Sequence, residues 1–285
     1  MQKKVIGVIG LGLIGGSIAK ALKKNTPHTV LAYDKDDAVM KKAILIGACD
    51  DVLTDVSMVD VLIVALYPSA TVEYVKNVAP KLKKSAIVID VDGVKGLICR
   101  ELFPVAKEYG FTFIGGHPMA GMEFSGFDYS KEALFKNASM ILVPDKDVNI
   151  SSLEEIKQTF LSLGFTRIQI STPDEHDKMI ALTSQLAHIL SSAYVKSPSA
   201  INHKGFSAGS FQDMTRVARL NENMWTELFF ENKENLLIEI DGLIERLKEY
   251  KTALYEDDTE TMFALLKEGR ERKALVDKKY EKTKS

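Results

Sequence analysis

The chain opens with a short apolar run, residues 4–10 (KVIGVIG), that passes directly into a glycine-rich turn and then a helical pattern. Gly10, Gly12 and Gly15 carry the spacing G-x-G-x-x-G. Lying between a strand and a helix, this turn constrains the fold more than any other feature. The first glycine allows the tight turn, the second lets the backbone approach a pyrophosphate, and the third lets helix and strand pack closely. The helix starts at Leu13 and Ile14 and presents its free N–H groups to an anion. Asp34 ends the next strand-like run, 24 residues after Gly10. A carboxylate there accepts ribose hydroxyls and repels a 2′-phosphate. We therefore expect NAD rather than NADP, held by Gly10, Gly12, Leu13, Ile14, Gly15 and Asp34.

Strand and helix patterns then alternate. Residues 29–33, 59–66, 86–90 and 112–115 read as strands, with later candidates at 139–144 and 167–170. Between them, residues 13–24, 38–45, 71–82, 97–109 and 151–163 have apolar residues at helical spacing. Continuous apolar strands alternating with helices argue for a parallel sheet covered on both faces. The pattern changes near Thr172, a suitable N-cap, followed by Pro173 at the first helical position and Asp174 and Glu175 in the first turn. From there only helical periodicity is found: residues 173–196, 209–220, 224–255 with a break near Asn232, and 258–279. The fold class expected is α/β: an N-terminal Rossmann-type parallel-sheet domain, residues 1–172, followed by an all-α dimerisation and substrate domain, residues 173–285.

A net charge of −2 supplies no basic field for nucleic acid, and apolar runs such as residues 59–66 are far too short to span a membrane. The N-terminus lacks the cleavage pattern of a signal peptide. Cys49 and Cys99 have no metal or redox spacing and read as reduced thiols of a cytoplasmic protein; no metal site is expected. The lysines near the end (Lys278, Lys279, Lys282, Lys284) read as a solvated tail.

His117 follows a strand and stands among glycines, in Gly115-Gly116-His117-Pro118. In an open α/β sheet, ligands bind beyond the carboxyl ends of the strands. An imidazole there, with an ordinary pKa near ~6.5, suits proton abstraction. Residues 90–96 (DVDGVKG) follow another strand and should border the nicotinamide, with Asp90 and Gly93 as cofactor contacts. Lys95 reads equally as a functional charge or a surface lysine. In the helical half, Ser184 and His188 lie one turn apart on a mostly apolar helix, unusual for pure core. Arg216 suits a planar carboxylate, which its two N–H groups can grip; the plain alternative is an ion pair with Asp213. Trp225, the only tryptophan, most simply reads as a packing anchor.

These residues carry a specific likeness. Residues 10–17 (GLGLIGGS), 90–96, 116–123 (GHPMAGME), 183–188 (TSQLAH) and 211–218 (FQDMTRVA) resemble the prephenate dehydrogenase family, which includes arogenate dehydrogenases. The resemblance covers nearly the whole chain. It implies NAD-dependent oxidative decarboxylation of prephenate to 4-hydroxyphenylpyruvate, in tyrosine biosynthesis, by a homodimer joined through the helical domain. His117 matches the family's catalytic histidine, Arg216 its arginine for the ring carboxylate, and His188 its second histidine near the substrate side chain. Gly209 and Trp225 match positions bordering the pocket, the tryptophan reaching in from the partner subunit, and Glu123 a position that gates it. Ser184 falls in the same substrate-facing segment as His188. Gly93 stands where family members commonly carry a serine that helps hold the histidine and the substrate hydroxyl. Ala187 and Met122 replace a common proline and threonine. Neither an appended ACT domain nor a chorismate mutase domain is expected. Arogenate dehydrogenase shares the mechanism. A 3-hydroxyacid dehydrogenase would put a lysine on the first long helix of the back half, and a non-catalytic sensor of NAD and an aromatic ligand would tolerate Gly93.

Overall fold

A computed structural model describes residues 3–281; Lys282 and Lys284 of the lysine-rich tail lie outside them. The chain runs β1 (Val5–Ile9), α1 (Leu13–Asn25), β2 (Thr29–Tyr33), α2 (Asp37–Leu45), β3 (Asp51–Val52), β4 (Val61–Val64), α3 (Pro68–Val78), β5 (Ile87–Asp90), α4 (Gly96–Tyr109), β6 (Thr112–Pro118), β7 (Ser139–Pro144), α5 (Ile150–Ser162) and β8 (Arg167–Ile170). Helices follow: α6 (Pro173–Ile180), α7 (Ala187–Val195), α8 (Gly209–Thr215), α9 (Glu222–Glu231), α10 (Lys233–Tyr255) and α11 (Thr259–Glu281).

The eight strands form one sheet in the order β3-β2-β1-β4-β5-β6-β7-β8. Neighbours from β3 through β6 are parallel. Strand order reverses direction between β1 and β4, which opens a crevice at their carboxyl ends. Alternation along the strands feeds two cores. Ile6, Val8, Ile63 and Ile89 pack with Ile18, Leu22, Ile156 and Phe160 from α1 and α5 on one face. Ile9, Leu62, Val64 and Val88 pack with Val75, Ile98 and Leu102 from α3 and α4 on the other. Covering on both faces is what the continuous apolar strands require.

Three features depart from the expected sheet. The two-residue edge strand β3 is too short to show a period. β6 extends past Gly115 to Pro118. β7 pairs antiparallel with β6, His117 opposite Ile141, while β8 returns parallel to β7. The parallel sheet expected thus carries one antiparallel pair, β6 with β7; residues 119–138, which hold no strand, return the chain without a crossover helix.

Helix ends follow the expected chemistry. Thr172 accepts a hydrogen bond from the Glu175 N–H at 3.2 Å, with Pro173 in the first turn. Asn232 separates α9 from α10, as the break in periodicity indicated. Between α6 and α7 the helix widens to a π-helix over Ala181–Leu186.

The chain forms two compact units, Met1–Lys233 and Glu234–Ser285. The helices up to α9 thus share a compact unit with the sheet. In the second unit, α10 and α11 leave Leu237, Ile238, Leu247, Leu254, Phe263 and Leu266 exposed. No helix among the described residues is long and apolar enough to cross a membrane.

Candidate active site

The glycine turn occupies the crevice at the β1–β4 switch. Gly10 has φ +83°, and a Cβ there would lie 2.4 Å from the Ala65 carbonyl oxygen at the end of β4. A Cβ on Gly15 would lie 1.9 Å from the Gly10 carbonyl oxygen. Gly12 differs: a Cβ would meet no atom within 4 Å. The first and third glycines are thus required by packing, while the second borders open space at the start of α1. Gly12 is the N-cap residue and no side chain caps the helix. Its terminal N–H groups are available to an anion. Leu13 and Ile14 form the half-buried first turn. Asp34 accepts hydrogen bonds from the Leu11 N–H (2.7 Å) and the Asp36 N–H (3.0 Å), which fixes its carboxylate beside the turn. Each of its oxygens retains a lone pair for a ribose hydroxyl. These residues fit an NAD pyrophosphate and adenosine ribose.

The loop after β5 is more enclosed than expected. Asp90 is wholly buried. Its carboxylate pairs with Lys95 Nζ and accepts from the Asp92 N–H (3.0 Å) and the Gly116 N–H (3.2 Å). Asp90 therefore organises the loop, and its expected role as a cofactor contact is corrected: its oxygens are engaged inside the protein. The surface reading of Lys95 is corrected as well, since its side chain is 0% exposed. Gly93 is half-buried, and a Cβ there would approach Leu228 Cδ2 at 3.3 Å. The Asp92 Oδ2 and Thr71 Oγ1 atoms are both buried. Burial and the Asp90 charge push the Asp92 carboxyl well above its ordinary pKa.

His117 lies half-buried at the carboxyl end of β6. Its Nδ1 is 2.9 Å from His176 Nε2, and His176 Nδ1 is 2.7 Å from Asp177 Oδ1. Asp177 also accepts the Lys95 N–H (2.8 Å) and the Gly96 N–H (2.7 Å), capping α4. Burial, then the neighbouring His176 and Lys95, hold His117 well below the usual histidine pKa. Burial lowers that of His176 too, against the opposing pull of Asp177. Both rings are neutral near neutral pH, so His117 is poised to accept a proton. Sequence reasoning missed His176 and Asp177. Their signal was a His-Asp pair in the first turns of the first helix after the sheet.

A second cluster gathers around α7. His188 Nδ1 lies 2.8 Å from the Ser184 carbonyl oxygen one turn earlier. The carbonyl only accepts, so Nδ1 carries the hydrogen and Nε2 presents a lone pair. Burial and the Arg216 charge lower the His188 pKa. Trp225 packs on His188 with ring centroids 4.0 Å apart. Within one chain, α9 thus brings Trp225 beside α7. Arg216, directly after α8, is exposed and makes no ion pair among the described residues, Asp213 included. Gly209 begins α8 and Ser184 is half-buried in the π-helix. Glu123 is exposed, next to Phe124, whose ring stacks on Tyr129 and lies 5.8 Å from the Arg219 guanidinium. The His117 and His188 clusters are tied together by one helical run, α6 through the π-helix to α7, which carries both His176 and His188.

Comparison with known proteins places the chain in a family. The family model described as the nucleotide-binding domain of prephenate dehydrogenase matches residues 18–169, and that of its dimerization domain matches residues 172–268. Prephenate dehydrogenase of Bacillus subtilis is 30% identical over 95% of this chain and 75% of its own length. Cyclohexadienyl dehydrogenase of Zymomonas mobilis is 31% identical over 93% of this chain and 94% of its own. The crystal structure of prephenate dehydrogenase from A. aeolicus, in complex with hydroxyphenyl propionate and NAD+, superposes with a TM-score of 0.85 at 27% identity, covering 97% of this chain and 99% of that one. Matched in both halves and along almost its full length, the chain belongs to the prephenate dehydrogenase family.

Proposed function

We propose that the protein is an NAD-dependent prephenate dehydrogenase, converting prephenate to 4-hydroxyphenylpyruvate and carbon dioxide in tyrosine biosynthesis. The observation that carries the reading is Arg216. It is an exposed guanidinium without an ion pair among the described residues, beside neutral His188 and Trp225. The helical run behind it also grips His117. A carboxylated ring substrate offers a carboxylate to Arg216 and a hydroxyl to His117.

NAD, when bound on the glycine turn beside Asp34, supplies the hydride acceptor. His117 takes the proton of the ring 4-hydroxyl as hydride leaves the carbon that bears it. The ring carboxylate departs as carbon dioxide, and its bonding electrons complete the aromatic ring. His117 then returns the proton to the phenolate oxygen, so no net proton is released. Arg216 orients the ring carboxylate, while His188, Ser184, Gly209 and Trp225 border the substrate side chain and Glu123 the entrance. Gly93 lines the nicotinamide end through its backbone. The matched dimerization segment and the exposed apolar side chains of α10 and α11 support a homodimer. The cytoplasm is the setting in which free thiols such as Cys49 and Cys99 are ordinary.

Arogenate is the second substrate to consider, because the Zymomonas mobilis relative is named for cyclohexadienyl substrates generally. The test is formation of reduced nicotinamide, followed by absorbance, with purified protein, NAD and prephenate, and with arogenate and NADP in parallel. Turnover with prephenate and NAD is expected. Intact NAD binding without turnover on either substrate would leave a ligand sensor.

A further inference from the structure

We propose that His176, anchored by Asp177, is the positioning residue that fixes the tautomer of His117, leaving His117 Nε2 as a bare lone pair aimed at the substrate hydroxyl. The proposal rests on His117 being the base and adds how that base is set.

The argument follows the direction of each hydrogen bond. Asp177 receives two backbone N–H groups, from Lys95 at 2.8 Å and Gly96 at 2.7 Å. The seat is tight: a Cβ on Gly96 would lie 2.8 Å from Asp177 Oδ2. A carboxylate so placed at a helix N-terminus acts as an acceptor. The hydrogen in its 2.7 Å contact with His176 must therefore sit on His176 Nδ1. His176 is 2% exposed, and burial favours its neutral form. A neutral imidazole with Nδ1 protonated has a bare Nε2. That bare nitrogen is the one 2.9 Å from His117 Nδ1, so His117 must donate there, and His117 Nε2 is left without a hydrogen. A protonated His176 would donate instead and place the hydrogen of neutral His117 on Nε2, the wrong nitrogen for a base. The charged and titratable groups around this chain are Asp177, Lys95 and Asp90. Lys95 is paired to Asp90 and opposes protonation of both rings.

The arrangement also explains how His117 is held although Gly93 offers no side chain. The tether comes from α6, not from the loop after β5.

The test is nitrogen NMR of the full chain with 15N-labelled histidine, recorded above neutral pH without substrate. His117 should be hydrogenated on Nδ1 with Nε2 bare, the reverse of the tautomer that free imidazole side chains prefer, and His176 hydrogenated on Nδ1. In His176→Ala, the His117 signal should revert towards the Nε2–H form. Turnover should fall about 10²-fold, with substrate KM and NAD affinity little changed. His176→Gln, whose carbonyl oxygen reaches a similar distance and accepts the same hydrogen bond, should restore the Nδ1–H form and much of the turnover. An Nε2–H tautomer on His117 in the unaltered protein would overturn the proposal, even if a variant failed to fold. So would a His176→Ala protein with unchanged tautomer and turnover. Because the spectrum needs no substrate, an inactive protein with His117 in the Nδ1–H form would count against the proposed reaction and leave the positioning role standing.

Discussion

Replacing Gly12 by alanine should spare the fold and remove most of the dinucleotide affinity, whereas the same methyl at Gly15 should damage the fold itself. At Gly15 the added Cβ would sit 1.9 Å from the Gly10 carbonyl oxygen and 2.9 Å from Ala65 Cβ, both tighter than real contacts, which stay above 3.0 Å. Helix α1 and the turn would have to part by about 1 Å in an interior packed like a crystal. Overpacking of this kind costs ~1–3 kcal/mol. For a unit of this size, each kcal/mol lowers Tm by ~2–4 °C. At Gly12 the methyl enters open space, and the backbone (φ −67°, ψ −159°) is one that alanine adopts freely. Loss there is that of a weaker N-cap, ~1 kcal/mol at most. The open space is where we place the pyrophosphate, and losing one charge-assisted hydrogen bond costs ~1.5–3 kcal/mol, or ~10–150-fold in Kd. Thermal unfolding of both variants, with calorimetric titration of NAD into the Gly12 variant, measures each side. If Gly12→Ala bound NAD as well as the unaltered chain, the pyrophosphate is not where we place it. Equal loss of Tm in both variants would refute the steric reasoning.

Further outcomes are expected at the substrate end and in the buried network. His117→Asn should lower turnover by ~10²–10⁴-fold while sparing NAD affinity in direct titration; unchanged turnover would remove His117 as the base. Arg216→Ala should raise substrate KM ~10–150-fold, since a charge-assisted bond to the carboxylate is lost, and an unchanged KM would place the carboxylate elsewhere. His117 lies below 6.5 in the folded protein, so kcat/KM should rise with pH through a midpoint under 6.5 and reach its plateau by neutrality. The same sign governs stability: His117 and His176 titrate below 6.5 when folded and near it when unfolded. As pH falls the unfolded chain takes up protons first, so denaturant midpoints should decline below 6.5 and not above it. Lys95→Met leaves the Asp90 carboxylate buried and unpaired, at ~3–5 kcal/mol, readable as a lowered denaturant midpoint.

The cofactor half was largely legible because its physics is local. A β-branched run, three glycines and a helix occupy consecutive residues, and the acid that completes them ends the next strand. His117 was legible for the same reason, as a polar residue among glycines at a strand end. What escaped detection depends on the third dimension. The antiparallel pairing of β7 leaves no mark on periodicity, since a buried apolar strand looks alike in either direction. The reading of Lys95 stayed open between a functional charge and a surface lysine because its partner Asp90 stands five residues earlier, across a loop whose curvature no pattern announces. His176 and Asp177 sat in plain view in the first turns of a helix. Acidic residues are common there on helix-dipole grounds alone, and nothing local indicates that this carboxylate caps a different helix 81 residues away.

That borrowed cap bears on how the molecule can be taken apart. The sequence matches two family segments that meet between residues 169 and 172, an inviting place to cut. A fragment stopped there would keep every strand yet strip the start of α4 of its acceptor, leaving the Lys95 and Gly96 amides unanswered and His117 unsupported. The piece that should survive excision runs instead to Lys233, where the first compact unit closes.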